Sequence, residues 1–236
     1  MKERDKIGSG SRFSTGTIVA IIAIVSFVCL FFRTGSPCDR LGDHVDSVLA
    51  SLFAAGVFWL FCVWLQERRE YKAQKTLLKN RYRFTKEGVL STFLMALGHF
   101  DTKSDGFERL KEPKQFRSFA NEIRAQDQSN WDAVMSEWET TSSLLSDTRF
   151  YFIELVNSLE QSLPMIRSRN GDLYHRLSSY CAFVRSVFSL SILQAEPAKH
   201  IGWKLVYPML AAWKNECERD DSPEPVFWVE RAINEL

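Results

Sequence analysis

The sequence predicts an all-α protein: an N-terminal transmembrane hairpin of two helices, followed by a cytoplasmic α-helical bundle. Two uncharged apolar segments, residues 13–32 and 47–66, each supply about 20 residues of helix, enough to cross a hydrocarbon core of roughly 30 Å. The rest of the 236-residue chain repeats apolar residues at helical spacing, and it carries no β-hairpin signal. Together these observations favour an all-α membrane protein.

The first apolar segment, 13–32, follows a basic leader at residues 1–12 and has one rival interpretation. A cleaved signal peptide has the same basic start and apolar centre, and Thr34, Gly35 and Ser36 would supply small residues for cleavage. Pro37 would directly follow that cut, and its rigid ring suits a peptidase badly. The second segment, 47–66, is apolar on all faces, which favours lipid over a buried core helix.

Basic residues flank the two spans unequally, and Lys and Arg favour the cytoplasmic side. The loop at 33–46 holds only Arg33 and Arg40, together with three aspartates. Basic residues before the first span are Lys2, Arg4, Lys6 and Arg12, and those after the second are Arg68, Arg69, Lys72, Lys75, Lys79, Arg81, Arg83 and Lys86. The sequence therefore predicts a multi-pass inner-membrane protein with an external loop and both termini in the cytoplasm.

Two kinds of membrane contact are predicted. Small residues at four-residue spacing allow helices to approach closely in lipid, and the second span carries Ser47, Ser51, Ala55 and Gly56. The basic stalk at 67–86 would lie against anionic headgroups through Arg68, Arg69, Lys72, Lys75 and Lys79. The stalk's aromatic residues show no stacking pattern, so no direct nucleic-acid site is evident. The bilayer and a second copy of the chain are thus the expected partners.

The cytoplasmic domain, predicted at 87–236, contains a long heptad pattern that begins at the N-cap Ser129. One row of the pattern is apolar throughout: Trp131, Trp138, Leu145, Phe152 and Leu159. The second row is polar in its middle: Met135, Ser142, Arg149, Val156 and Leu163. A single helix that packs within the chain fits this pattern, and a seam between subunits is the alternative. Pro164 should strain or end that helix.

Further helices are expected on both sides of the heptad segment. One should run from about Lys114 to Ala125, after a loop at 98–106, and another from about Asp172 to Leu193, after the Asn170–Gly171 turn. A third should carry Trp203, Leu210 and Trp213. The acidic residues Glu216, Glu218, Asp220 and Asp221 read as a solvated linker before a last helix that has Pro225 near its first turn.

No catalytic, cofactor-binding or metal-binding motif stands out, so the sequence gives no reason to predict an enzyme or a cofactor. His99, Asp101 and Asp105 have the character of loop polarity rather than of a metal site. A basic cluster around the Asn170–Gly171 turn is the candidate contact for a ligand or partner: Arg167, Arg169, His175 and Arg176. Such a cluster can bind phosphate, although cations are also favoured at helix C-termini.

The uncharged hairpin at 13–66, its short DRLGDHVD linker and the helical remainder resemble the two-transmembrane effectors of bacterial anti-phage systems, retron-associated or abortive-infection proteins. The resemblance lies in layout alone, so no functional residue carries over. It implies a homo-oligomeric toxin that disrupts the inner membrane when a cytoplasmic protein or ribonucleoprotein partner releases it. The alternative is a non-enzymatic tether or scaffold that recruits a cytoplasmic complex through its helices.

Overall fold

The computed structural model describes residues 21, 24–26, 28, 40–98, 105–123, 127–192, 196–215 and 218–236. The described residues are mostly helical, with no strands among them, so the all-α prediction is confirmed. Isolated bridges join Ile123 to Ser129 and Trp213 to Arg219. The chain divides into two compact units, Met1–Lys72 and Ala73–Leu236.

The first unit contains helix α1, Arg40–Phe58, a π-helical stretch, Trp59–Trp64, and the start of helix α2, Leu65–Ala96. Within the described residues, one continuous helix, Ser47–Ala96, is long and apolar enough to cross a membrane, and only 6% of its most apolar window is buried. Of the predicted span 13–32, residues 21, 24–26 and 28 are helical, and the rest lies outside the described residues.

The second unit is built from the remainder of α2 and from short and long helices that follow it. These are α3 Asp105–Leu110, α4 Pro113–Ala120, α5 Asn130–Thr140, α6 Ser142–Arg169, α7 Gly171–Ser191, α8 Pro197–Ile201, a π-helical turn Gly202–Val206, α9 Tyr207–Leu210 and α10 Trp228–Glu235. They share one hydrophobic core, to which α2 contributes Leu78, Tyr82 and Phe93. The predicted boundary at residue 87 stays a prediction.

Helix α2 packs against α6 at a position where a side chain would not fit. The ring of Tyr151 lies against Gly88, and a Cβ atom built there would stand 2.5 Å from Tyr151 Cζ. Thr85 Oγ1 donates a hydrogen bond to the Tyr151 carbonyl (3.2 Å), and Arg81 pairs with Glu154 (3.5 Å). Glycine at position 88 therefore sets how closely these two helices approach.

Helices α6 and α7 form an antiparallel pair across the Asn170–Gly171 turn. The Asn170 side chain accepts a hydrogen bond from the Leu173 N–H (3.0 Å) and caps α7. Arg185 of α7 makes a bidentate pair with Glu160 of α6, at 2.7 and 2.9 Å. The hydrogen bonds from Arg185 lower the pKa of the Glu160 carboxylate. The predicted turn is thus present, with α7 starting at Gly171.

The heptad row is buried as predicted at Trp138 and Phe152, both fully inaccessible to solvent. The single long helix is a wrong prediction, because Thr141 (φ −106°, ψ 88°) separates α5 from α6. Thr140 Oγ1 donates to the Glu137 carbonyl (2.9 Å) and Thr141 Oγ1 to the Glu137 carboxylate (2.6 Å). Hydroxyls that bind nearby acceptors in this way compete with helix continuation, and a β-branched pair adds to the effect.

Other helix ends also differ from the sequence predictions. Helix α6 continues through the exposed Pro164 to Arg169, because its flanking turns stay packed on the core. Helix α3 starts at Asp105, inside the segment predicted as loop, and α4 ends at Ala120 rather than Ala125. Trp213 lies beyond α9. Pro225 lies shortly before α10, which begins at Trp228.

Candidate functional site

A groove of about 870 Å³ lies on the second unit, beside α7. Its walls come from α7, from the π-helical turn after α8, from the segment after α9, and from the start of α10. The residues that matter chemically are His175, Arg176, Tyr180, Phe183, Trp203, Lys204, Trp213, Lys214, Phe227 and Trp228. None of the described residues that line the groove is acidic. Four cations or potential cations therefore surround an aromatic surface.

Trp203 forms the most exposed part of this aromatic surface, with 49% of its area accessible. Its ring packs against Trp131 (centroids 5.1 Å apart) and Tyr207 (4.9 Å), and these contacts fix its position. The turn that carries it passes close to α5 at Gly202, where a Cβ atom would lie 3.2 Å from Trp131 Cζ2 and overlap the Met135 side chain. The absence of a side chain at residue 202 lets this turn pack against α5 and fixes Trp203.

The cations of the groove have few neutralising partners. Arg176 lies over the Trp228 ring (5.6 Å from the centroid) and His175 packs against Tyr174. Neither they nor Lys204 pair with a carboxylate among the described residues, whereas Lys214 lies 3.8 Å from Glu218. All four side chains are exposed or largely so. The rim of the groove is therefore positively charged, and this charge is available to a ligand.

The segment that carries Trp213 and Lys214 is fastened to the core by its backbone. Trp213 N–H donates to the Pro208 carbonyl (2.9 Å), and the Trp213 carbonyl accepts from Trp228 N–H (2.9 Å). Arg117 of α4 donates to the carbonyls of Ala211 (2.6 and 2.8 Å) and Asp220 (2.7 Å). These bonds to a loop fix the position of two groove-lining residues.

Asp220 completes this anchorage, and it is buried rather than solvated. It was predicted in a solvated acidic linker, but its side chain is only 7% exposed and pairs with Arg231 of α10. Burial raises the pKa of Asp220, but hydrogen bonds from Ser222 and Val226 and the Arg231 guanidinium outweigh it and lower the pKa to about 2. Asp220 is a buried carboxylate that ties the loop after α9 to α10.

A second cleft, of about 380 Å³, lies between α2 and α10 and has a different electrostatic character. Its lining includes cations and carboxylates that pair with each other, as Lys111 does with Glu87 (2.9 Å) and Glu108 (2.7 Å). Burial lowers the pKa of Lys86, which stands 4.0 Å from Glu230. This cleft is nearly neutral, so the groove beside α7 is the stronger candidate for an anionic ligand.

The predicted basic cluster around the Asn170–Gly171 turn is only partly brought together. His175 and Arg176 line the groove. Arg167 is exposed, lies over the Tyr174 ring (5.5 Å) and, like Arg169, does not line it. His99 and Asp101 lie outside the described residues, and the described ones form no grouping that could hold a metal ion.

The predicted membrane-contact residues occupy the helix that runs through the first unit into the second. Ser47, Ser51 and Ala55 are exposed, Gly56 is buried, and Ser51 Oγ donates to the Ser47 carbonyl (2.9 Å). Of the basic stalk residues, Arg68, Arg69, Lys72 and Lys79 are exposed. Lys75 is half-buried, and its ammonium donates to the Asn234 carbonyl (2.9 Å). Lys75 is thus partly engaged in the fold.

Sequence reasoning missed the residues that complete the groove beyond His175 and Arg176. A usable signal was present: the pair Trp-Lys occurs at Trp203–Lys204 and again at Trp213–Lys214, in a chain with only seven tryptophans. Comparisons of the chain with protein-family models, with curated proteins and with solved structures gave no match.

Proposed function

We propose that the protein is a membrane-anchored effector of anti-phage defence. In this proposal a transmembrane hairpin (spans 13–32 and 47–66) places both termini in the cytoplasm of the inner membrane. A protein or ribonucleoprotein partner restrains the helical cytoplasmic part. Release of that restraint allows the hairpins of several copies to oligomerise and disrupt the bilayer. No catalytic step is required of the chain.

The observation that carries the proposal is the exposed apolar surface of the helix in the first unit. Val48, Leu52, Phe58 and Phe61 are between 44% and 65% exposed, although each prefers an apolar surrounding. Immediately after this stretch, Arg68 lies over the Trp64 ring (5.2 Å). A Trp beside exposed basic residues is typical of the boundary between hydrocarbon and headgroups. Lipid is the environment that this surface fits.

The face that would join copies in the membrane is the exposed row of small residues, Ser47, Ser51 and Ala55. In lipid, association depends on close packing, and leucine side chains at two of these positions would hold neighbouring helices apart. The double change Ser51→Leu with Ala55→Leu keeps the segment apolar, so insertion should be unaffected. We expect toxicity and crosslinked oligomers to decrease together.

The experiment is induced expression in a bacterial host with a membrane-potential dye as readout. The native chain, expressed without its partner, should depolarise cells rapidly, and the S51L/A55L variant should not. Ala50→Leu with Ala54→Leu is the matched control, because it adds the same volume to exposed positions on another face of the helix. A chain that leaves the potential intact, or an S51L/A55L variant as toxic as the native chain at equal membrane abundance, contradicts the effector proposal.

A tether or scaffold is the second candidate. The groove beside α7 favours it, because an aromatic surface held in place by packing, as Trp203 is by Trp131, suits the recruitment of a partner. A tether recruits a cytoplasmic complex and leaves the bilayer intact. Under this alternative, S51L/A55L keeps recruitment while the potential never changes. Pull-down of interacting proteins with the native chain and the variant, alongside the dye measurement, separates the two candidates.

A further inference from the structure

The groove beside α7 combines a stacking surface with three side chains, His175, Arg176 and Lys204, that make no ion pair with a described carboxylate. Nothing in the proposed membrane activity uses this groove. Trp203 is half exposed, and its ring is held by Trp131 and Tyr207. Because the Trp203 side chain is already fixed, a planar group can stack on the free side of its ring without the cost of ordering that side chain. Base–aromatic stacking of this kind contributes to binding whatever the base, because every base has a π face.

The charges of the groove indicate which chemical group the ligand carries beside its planar group. Arg176, His175 and Lys204 make no ion pair with a described carboxylate, and none of the described residues that line the groove is acidic. By contrast, the ligand-sized cleft between α2 and α10 balances its cations with Glu87, Glu108 and Glu230. An arginine and a lysine beside an aromatic wall, with no ion pair to any carboxylate that the structure describes, favour an anion, and Arg is well suited to phosphate.

The size of the groove, about 870 Å³, falls within the range of roughly 300–1,000 Å³ typical of sites for small molecules. From the stacking surface, the basic side chains of the groove and this size, we propose that the groove binds a nucleoside phosphate. Its base stacks on Trp203 and its phosphates lie against Arg176 and Lys204. The ligand is either a free nucleotide or a residue of a single-stranded nucleic acid, since both present the same chemistry.

This inference is independent of membrane disruption, because the groove belongs wholly to the second unit and its test measures binding alone. The full chain, purified in an uncharged detergent, is titrated calorimetrically with each common ribonucleoside triphosphate. Adenosine, inorganic tripolyphosphate and a single-stranded RNA of about 12 nucleotides are titrated in parallel. Tight binding of a triphosphate identifies a free nucleotide, and preference for the RNA identifies a nucleic acid.

We expect the preferred nucleotide, or the RNA, to bind at least about tenfold more tightly than adenosine or tripolyphosphate, because each of these keeps only one kind of contact. Trp203→Leu and Arg176→Gln should each weaken binding about tenfold. Arg167→Gln is the matched control, since Arg167 is an exposed arginine over a tyrosine ring that does not line the groove. It should bind as the native chain does.

If Arg176→Gln or Trp203→Leu does not fold, as judged by its melt, Lys204→Gln replaces it, because Lys204 is exposed and makes no ion pair with a described carboxylate. Absence of binding by every nucleotide and by the RNA at millimolar concentration overturns the proposal. So does tripolyphosphate binding as tight as that of the triphosphates, or equal weakening by Arg167→Gln. An acidic, aromatic peptide that alone binds would assign the groove to a protein partner instead.

Discussion

The two units of the chain differ in how far their large apolar side chains are buried. In the second unit, Trp138, Phe152 and Leu177 are fully buried, and its exposed positions are mainly polar or charged. In the first unit, Val48, Leu52, Phe58 and Phe61 stand exposed along one helix. Burying such side chains is worth about 1.5–3 kcal/mol each, so their exposure to water would be costly. The second unit supplies its own apolar environment, and the first needs one from outside.

The largest expected effect is the loss of the core in the second unit by Trp138→Asp. An unpaired charge in this fully buried position should cost about 4–5 kcal/mol or more and abolish a cooperative melt. Circular dichroism of the full chain in mild detergent measures it. Phe150→Asp is the matched control, because Phe150 is 57% exposed and should lose less than about 0.5 kcal/mol. Equal melts for both variants would show that the row is not a core.

Charge at an exposed position of the first unit should have a different consequence. Leu52→Arg places a cation in the predicted second span, where it opposes insertion by about 3 kcal/mol. The expected result is a rise in the fraction of reporters, fused after Lys86, that are found on the external side of the inner membrane. Leu52→Ile should change nothing. If Leu52→Arg inserts as the native chain does, lipid does not surround this helix.

Next in size is the anchorage of the loop that carries Trp213. Arg117→Met removes five hydrogen bonds, because the guanidinium donates to the carbonyls of Ala211, Ala212 and Asp220 and to the Asp221 carboxylate. Leaving partly buried carbonyls without a donor should cost about 2–3 kcal/mol. Denaturant unfolding in detergent measures it, with Arg109→Met of α3, an exposed arginine, as control. A loss of stability no larger than the control's would mean that water replaces the guanidinium.

The smallest predicted effect is the pH dependence of the stability that the Asp220 carboxylate contributes. Its folded pKa is lowered to about 2 from 3.8, so the carboxylate stabilises the fold above its unfolded pKa, and this contribution disappears as the pH falls from about 4 to about 2. Asp220→Asn should therefore cost about 1–2 kcal/mol near neutral pH and progressively less below about pH 4. A difference between native and D220N unfolding that stays constant down to pH 2 would contradict the pairing with Arg231.

Local patterns predicted the parts of the fold that local physics determines. Ser129 caps α5 by accepting a hydrogen bond from Asp132 N–H (3.1 Å), and the spacing of Trp138 and Phe152 placed both in the core. The heptad row does not predict the break at Thr141, because the row continues across it. Apolar periodicity contains no information about the threonine hydroxyls that donate to Glu137.

Beyond the repeated Trp-Lys pair, little in the sequence could predict the groove as a site, because distant segments assemble it. His175 and Arg176 are recognisable in the sequence as part of a basic cluster. The residues that face them across the groove come from later segments that fold back against α7: Trp203, Lys204 and Trp228. Asp220 was misassigned for a similar reason. Its acidic neighbours suggested solvent, whereas its side chain is held by Arg231, on a helix formed later in the chain.

The hairpin proposal places the apolar helix of the first unit in a membrane. Reporter fusions that score the side of the membrane test this placement, one joined at Asp39 and one after Lys86. We expect the two fusions on opposite sides, Asp39 external and Lys86 cytoplasmic, because Lys and Arg are concentrated before residue 13 and after residue 66. A fusion after Lys86 that proves external would contradict the hairpin.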